Sequence, residues 1–172
     1  TMEADLCSVV LLHARAADLI VACQADPDWV LSDLADFPER LALESGRPIL
    51  MVPNAGAAKA PGGNVVVAWN GSREAARAVF DALPLLTAAD VVNILTIEER
   101  RMGSGPAAET IARTLARHGV PAQYEYVRAD GGDAAEVLRA RAQELGADVI
   151  VMGAYGHSRW REYVFGGVTR GM

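Results

Sequence analysis

A chain of 172 residues, 51% hydrophobic and 22% charged, is long enough to bury a proper core and falls near one ordinary domain or a little more. Its net charge of -6, with no basic stripe interleaved with aromatics, excludes a general nucleic-acid binder. Apolar runs stop after about five or six residues where a membrane span needs about 20, and no signal peptide is legible, so the cytoplasm is the expected compartment.

Taken in order, residues 1 to 23 read as a helix, Asp5 to Ala14, feeding an apolar strand, Leu19 to Cys23. Cys7 and Cys23 stand at no metal-ligand or redox-motif spacing and are expected as buried free thiols. Pro38 suits a first helical turn, Leu41 faces inward, Gly46 is placed as a helix stop, and Pro48 leads into a strand, Ile49 to Val52. The following stretch, Asn54 to Gly63, has the composition of a flexible linker and marks the expected domain boundary.

From Asn64 the alternation of strand and helix is regular. Asn64 to Trp69 reads as a strand, and Ser72 to Leu83 as a helix with Ala76, Val79, Phe80 and Leu83 on its inner face. Val91 to Thr96 is the next strand. Pro106 starts a helix that carries Ile111, Ala112 and Leu115 inward and stops at Gly119, and Ala122 to Val127 follows as a third strand. Asp133 and Glu136 resemble a capping box for a helix ending before Gly146, and the apolar run Asp148 to Met152 suits a strand buried on both faces. This order implies an α/β fold: an open parallel sheet with helices on both faces.

An internal repeat underlies the chain. Ala17-Asp18-Leu19-Ile20-Val21 matches Ala147-Asp148-Val149-Ile150-Val151, so a helix and a strand recur at a spacing of about 130 residues, which implies two copies of one domain. The first copy lacks the glycine loop: Gln24-Ala-Asp-Pro-Asp28 stands where Gly153 to His157 stand in the second. It also lacks the three opening strands of the second copy, and the second copy stops before a counterpart of Ile49 to Val52. The chain is therefore expected to be fragmentary at both ends.

The stretch Gly153 to Arg170 is the one markedly basic patch, with His157, Arg159, Arg161 and Arg170 opposed only by Glu162. Glycines at 153, 156, 166 and 167 permit tight turns and close approach to a bound group, an arrangement suited to phosphate. In open α/β sheets ligands lie beyond the carboxyl ends of the strands, where successive connections diverge. The turn Asn70-Gly71-Ser72 and the Gly153 loop are expected to meet there. No carboxylate pair, Ser-His-Asp order or metal cluster accompanies them, so no catalytic residue and no metal site are assigned, and Ser72 is read as a helix N-cap. Trp160, Tyr163 and Phe165 are read as packing residues.

Gly153-x-x-Gly156, nine residues, then Gly166-Gly167-Val168, after a VIVMG strand and paired with an opening VAWNGS strand, resembles the universal stress protein family. The resemblance implies a Rossmann-like sheet of the adenine nucleotide alpha hydrolase type, strand order 3-2-1-4-5, in a tandem protein. Residues 1–53 would be the last half of a first domain, 54–63 a linker, and 64–172 a second domain without its last strand. It further implies a regulatory protein of the stress response, a homodimer, that binds ATP or AMP, with magnesium accompanying ATP and at most slow hydrolysis. Asn70, Gly71, Met152, Gly153, Gly156, His157, Ser158, Gly166, Gly167 and Val168 are the contact positions it implies. Two depart from the family pattern: Asn70 stands where nucleotide binders have aspartate, and Gly167 where they have Ser or Thr. A second reading therefore stays open, an interaction module of the same family that binds no nucleotide.

Overall fold

A computed structural model describes residues 6–24, 37–53, 62–98, 107–130 and 132–154, which divide into two compact units, 6–53 and 62–154. The first holds helix α1 (Leu6–Ala14), strand β1 (Ile20–Cys23), helix α2 (Phe37–Glu44) and strand β2 (Ile49–Val52). The strands pair in parallel, Ile20 beside Ile49 and Cys23 beside Val52. Cys7 and Leu11 of α1 and Leu41 of α2 form a small core that Ile20, Ala22 and Ile49 complete. Both helices thus cover the face that carries Ile20 and Ala22. Alternation sends Val21 and Cys23 to the other face, where Val21 is 63% exposed. The expectation of two buried thiols therefore holds for Cys7 and fails for Cys23, which is exposed.

The second unit follows as β3 (Asn64–Ala68), α3 (Arg73–Asp81), α4 (Leu83–Ala88), β4 (Val91–Glu98), α5 (Ala108–Arg117), β5 (Ala122–Arg128), α6 (Ala134–Glu144) and β6 (Val149–Val151). All pairings are parallel, and the described sheet has four strands in the order β5-β4-β3-β6. Val65, Val67, Val92, Ile94 and Val151 form one buried cluster with Ala75 and Val79 of α3, Leu86 of α4 and Ile111 and Leu115 of α5. Helix α6 serves the opposite face, where Arg141 reaches Glu125 of β5 at 2.9 Å and Glu144 of its own last turn at 2.7 Å. Helices therefore lie on both faces, as parallel strands buried on both sides require.

The expected single helix from Ser72 to Leu83 is two helices. Ala82 caps α3, and α4 starts beyond it with Pro84 in its first turn, where the missing N–H costs nothing. Phe80 does not join Val79 in the core; it stays 43% exposed with its ring edge-on to His118, centroids 6.1 Å apart. The inner face of α3 is set by the four-residue spacing of Ala75 and Val79, and Phe80 falls a third of a turn away. Helix α5 has no side-chain cap at Ala107; instead the Ala108 N–H donates to the Tyr126 hydroxyl at 3.1 Å, while Tyr124 donates to Glu109 at 3.1 Å.

The entry to β3 is fastened by a residue whose part sequence reasoning missed. The Asp148 carboxylate, ahead of β6, accepts the N–H groups of Gly62, Gly63 and Asn64 at 3.2, 3.0 and 3.2 Å. The Gly63 carbonyl in turn accepts from Asp90 and Val91 at the start of β4. The last two residues of the expected linker are thus tied into the sheet. Asp133 caps α6 by accepting from Ala135 at 2.9 Å.

Candidate functional site

The carboxyl ends of β3 and β6, neighbours in the sheet, bring the Asn70-Gly71-Ser72 turn and Gly153 together. After Trp69, buried and bonded to the Leu95 carbonyl through its own N–H at 2.8 Å, the chain turns at Asn70-Gly71-Ser72. The Asn70 side-chain oxygen accepts the Ser72 N–H at 3.0 Å, and Gly71 takes a φ of 72°, a left-handed conformation that a side chain would strain. Ser72 then caps α3, its hydroxyl accepting the Ala75 N–H at 3.1 Å, as its sequence position implied.

Gly153 lies against that same first turn. A Cβ added to it would stand 2.6 Å from the Ala75 nitrogen and 2.6 Å from the Glu74 carbonyl carbon, distances no real side chain adopts. The absent side chain therefore admits α3 itself, a role other than the close approach to a bound group read from the sequence. Met152, just before it, is half-buried. The structure thus brings together Asn70, Gly71, Met152 and Gly153. Gly156, His157, Ser158, Gly166, Gly167 and Val168 lie outside the described residues, as do Arg159, Arg161 and Arg170.

Two further residues of this end of the sheet were missed. Glu74 sits in the first turn of α3, where its own main-chain N–H, then Arg73 at 2.9 Å and the Ser72 hydroxyl, hold its carboxyl below the usual range. A negative charge there complements the positive end of the helix. Only its position two residues past a serine cap could have given it away. Thr96, in the second half of β4 and opposite Tyr126, buries its hydroxyl oxygen with no hydrogen-bond partner among the described residues. Its signal in the sequence is one hydroxyl in the otherwise apolar end of VVNILTI. An unmade bond at a buried hydroxyl costs about 1–3 kcal/mol, so its persistence is unusual. Among the described residues, no group of three or more His, Cys, Asp or Glu could hold a metal ion, and no helix is long and apolar enough to cross a membrane.

A parallel α/β sheet with helices on both faces defines the class of open-sheet α/β folds, in which ligands commonly lie beyond the carboxyl ends of the strands. Residues 63–172 match the model of the universal stress protein family, and the chain belongs to that family. Among solved structures it is similar to a crystal structure of a universal stress protein family member from Burkholderia pseudomallei, at 24% identity over 55% of this chain and 83% of that one, with a TM-score of 0.41. No curated protein matches the chain.

Proposed function

We propose that this protein binds an adenine nucleotide, ATP or AMP, across the ends of β3 and β6, and acts in the cytoplasm as a regulatory protein of the stress response without turning the nucleotide over. The observation that supports this reading is the direct packing of Gly153 on the first turn of α3, which sets the Asn70 turn beside the start of the glycine loop. The groups present suit the nucleoside better than the phosphates. Asn70 offers an amide at the rim, and the Thr96 hydroxyl lacks a partner nearby in the sheet.

Phosphates do not fit the start of α3. Ser72 already occupies the Ala75 N–H, and Glu74 holds a carboxylate at the turn. The phosphates would then be held by the stretch after Gly153, where the family resemblance assigns Gly156, His157, Ser158, Gly166, Gly167 and Val168. Bound nucleotide supplies only an occupancy signal in this scheme; with ATP, magnesium would accompany the phosphates. Glu74 also favours the second reading, a dimerising interaction module without nucleotide, because its charge repels any phosphate that strays toward α3.

Calorimetric titration of the purified chain with ATP and with AMP separates the two. One nucleotide per chain, weakened by Asn70→Ala, supports the first reading. Absence of heat with either nucleotide, together with no adenine compound released on denaturing the purified protein, would establish the second.

A further inference from the structure

Of the chain's four asparagines only Asn70 precedes a glycine; Ala55, Val65 and Ile94 follow the other three. The pairing matters because the side-chain carbonyl carbon of an asparagine can be attacked by the main-chain nitrogen of the next residue, closing a five-membered ring. A side chain on that next residue crowds the attack, and glycine has none. Asn64 and Asn93 stand in strands ahead of β-branched residues, and their amide nitrogens are engaged, Asn64 donating to the Leu145 carbonyl at 2.5 Å and Asn93 to the Asn64 side-chain oxygen at 3.4 Å.

At Asn70 the surroundings differ. Buried Trp69 anchors the chain on one side and the α3 cap Ser72 on the other, which leaves an exposed Asn70 and a Gly71 at φ 72° in the turn between them. The Ser72 N–H donates to Asn70 Oδ1 at 3.0 Å. Negative charge develops on that oxygen when the Gly71 nitrogen adds to Cγ, so the bond polarises the carbonyl and supplies a donor where the reaction needs one.

We propose that Asn70-Gly71 is a site of self-modification, at which the side-chain amide is lost and position 70 becomes a carboxylate. The Gly71 nitrogen loses its proton to solvent and bonds to Asn70 Cγ; the Cγ–Nδ2 bond then breaks, and ammonia leaves with a proton returned from solvent. Water opens the cyclic imide. Cleavage of the new bond from Cγ to nitrogen gives aspartate, and cleavage of the original main-chain bond gives isoaspartate. The sum consumes one water and releases one ammonia, with no oxidant or reductant, and it does not depend on what the site binds. Aspartate keeps an acceptor for the Ser72 N–H and adds a second carboxylate to the helix terminus that already carries Glu74. Isoaspartate lengthens the main chain between Trp69 and Gly71 by a methylene, which shifts the turn itself.

The test warms the full 172-residue chain in mildly alkaline buffer and follows it by ion-exchange chromatography and by mass spectrometry of tryptic fragments, with circular dichroism checking that the fold persists. Cleavage after Lys59 and Arg73 puts Asn64 and Asn70 on one fragment, residues 60–73, so that Asn64 is the reference within it. A more acidic species should accumulate, its mass gain confined to Asn70, with aspartate and isoaspartate both present and told apart by electron-transfer fragmentation. Gly71→Ala should slow conversion about tenfold by crowding the attacking nitrogen. Because alanine also strains that turn, a second comparison keeps the native residues: a synthetic peptide of residues 68–73 sets the rate without the fold, and the folded chain should convert within about tenfold of it, the effect of about one hydrogen bond on a barrier. A folded chain slower than that, conversion at Asn64 as fast as at Asn70, or a folded Gly71→Ala variant that converts as fast as its parent overturns the proposal.

Discussion

Replacing Gly153 by alanine adds one methyl group, and the surroundings say where it goes. Its three nearest neighbours are the Ala75 nitrogen at 2.6 Å, the Glu74 carbonyl carbon at 2.6 Å and the Glu74 Cβ at 2.9 Å. None is the far end of a flexible side chain. Relief to ordinary contact needs a shift of about 1 Å between the end of β6 and the first turn of α3, and overpacking of this kind costs about 1–3 kcal/mol. That loss lowers the midpoint by about 4–8 °C per kcal/mol for a unit of this size. Urea and thermal unfolding, followed through Trp69 with Trp29 and Trp160 replaced by phenylalanine, report on the second unit alone. Ala154→Ser, at the exposed next residue, serves as control. A Gly153→Ala variant within about 0.5 kcal/mol of its parent would refute the packing of Gly153 on α3, since surface substitutions normally fall in that range.

Thr96→Val removes a buried hydroxyl without a partner and should stabilise the second unit by about 1–2 kcal/mol in the same unfolding assay, while weakening adenine-nucleotide binding. Asp148→Ala frees the Gly62, Gly63 and Asn64 N–H groups and should cost about 1–2 kcal/mol, the usual loss of a cap, with faster amide exchange at those three residues. The Tyr124 hydroxyl, bonded to Glu109 and close to its charge, has its pKa raised above the ordinary value of 10.0; the bond's contribution is present below that value and disappears as pH rises through the raised one. Absorbance titration should show one late-ionising tyrosine that Tyr124→Phe abolishes. Asn70→Asp should raise the preference for ribonucleotides over 2′-deoxyribonucleotides about fivefold, the difference of about 1 kcal/mol between charged and neutral hydrogen bonds, as read by calorimetric competition.

The alternation of strands and helices in the second unit was legible because each element is punctuated by a residue with a fixed physical preference. Ser72 and Asp133 cap helices where the sequence placed them. Glycines 46, 119 and 146 follow helix ends with φ values of 70°, 81° and 65°. What was not legible depends on neighbours distant in the chain. The exposure of Cys23 follows from both helices of the first unit packing on one face of β1, which an all-apolar strand does not reveal. The clip formed by Asp148 joins residues 84 to 86 positions apart, and nothing local marks it. The start of α4 within a run of helix formers turns on Pro84, and Phe80 lies off the face that Ala75 and Val79 turn inward.

At the candidate site the sequence pattern marked the Asn70-Gly71-Ser72 turn but not its electrical state. The first turn of α3 is already satisfied: Asn70 takes one N–H, Ser72 another, and the Glu74 carboxylate faces the helix's positive end. A group approaching there meets a fixed negative charge, so it must be neutral or bring hydroxyls that donate. With its oxygen engaged by the Ser72 N–H, Asn70 has its amide hydrogens left to offer outward, whereas an aspartate would offer only acceptance. Ribose hydroxyls both donate and accept, so Asn70 can hold them without a charge-assisted bond. Replacing aspartate by asparagine beside Glu74 also removes a second negative charge from one helix terminus, where like charges repel. On the proposed nucleotide-binding reading, the phosphates are then left to the basic residues that follow Gly153 in the sequence, and a neutral amide at position 70 fits that division of charge.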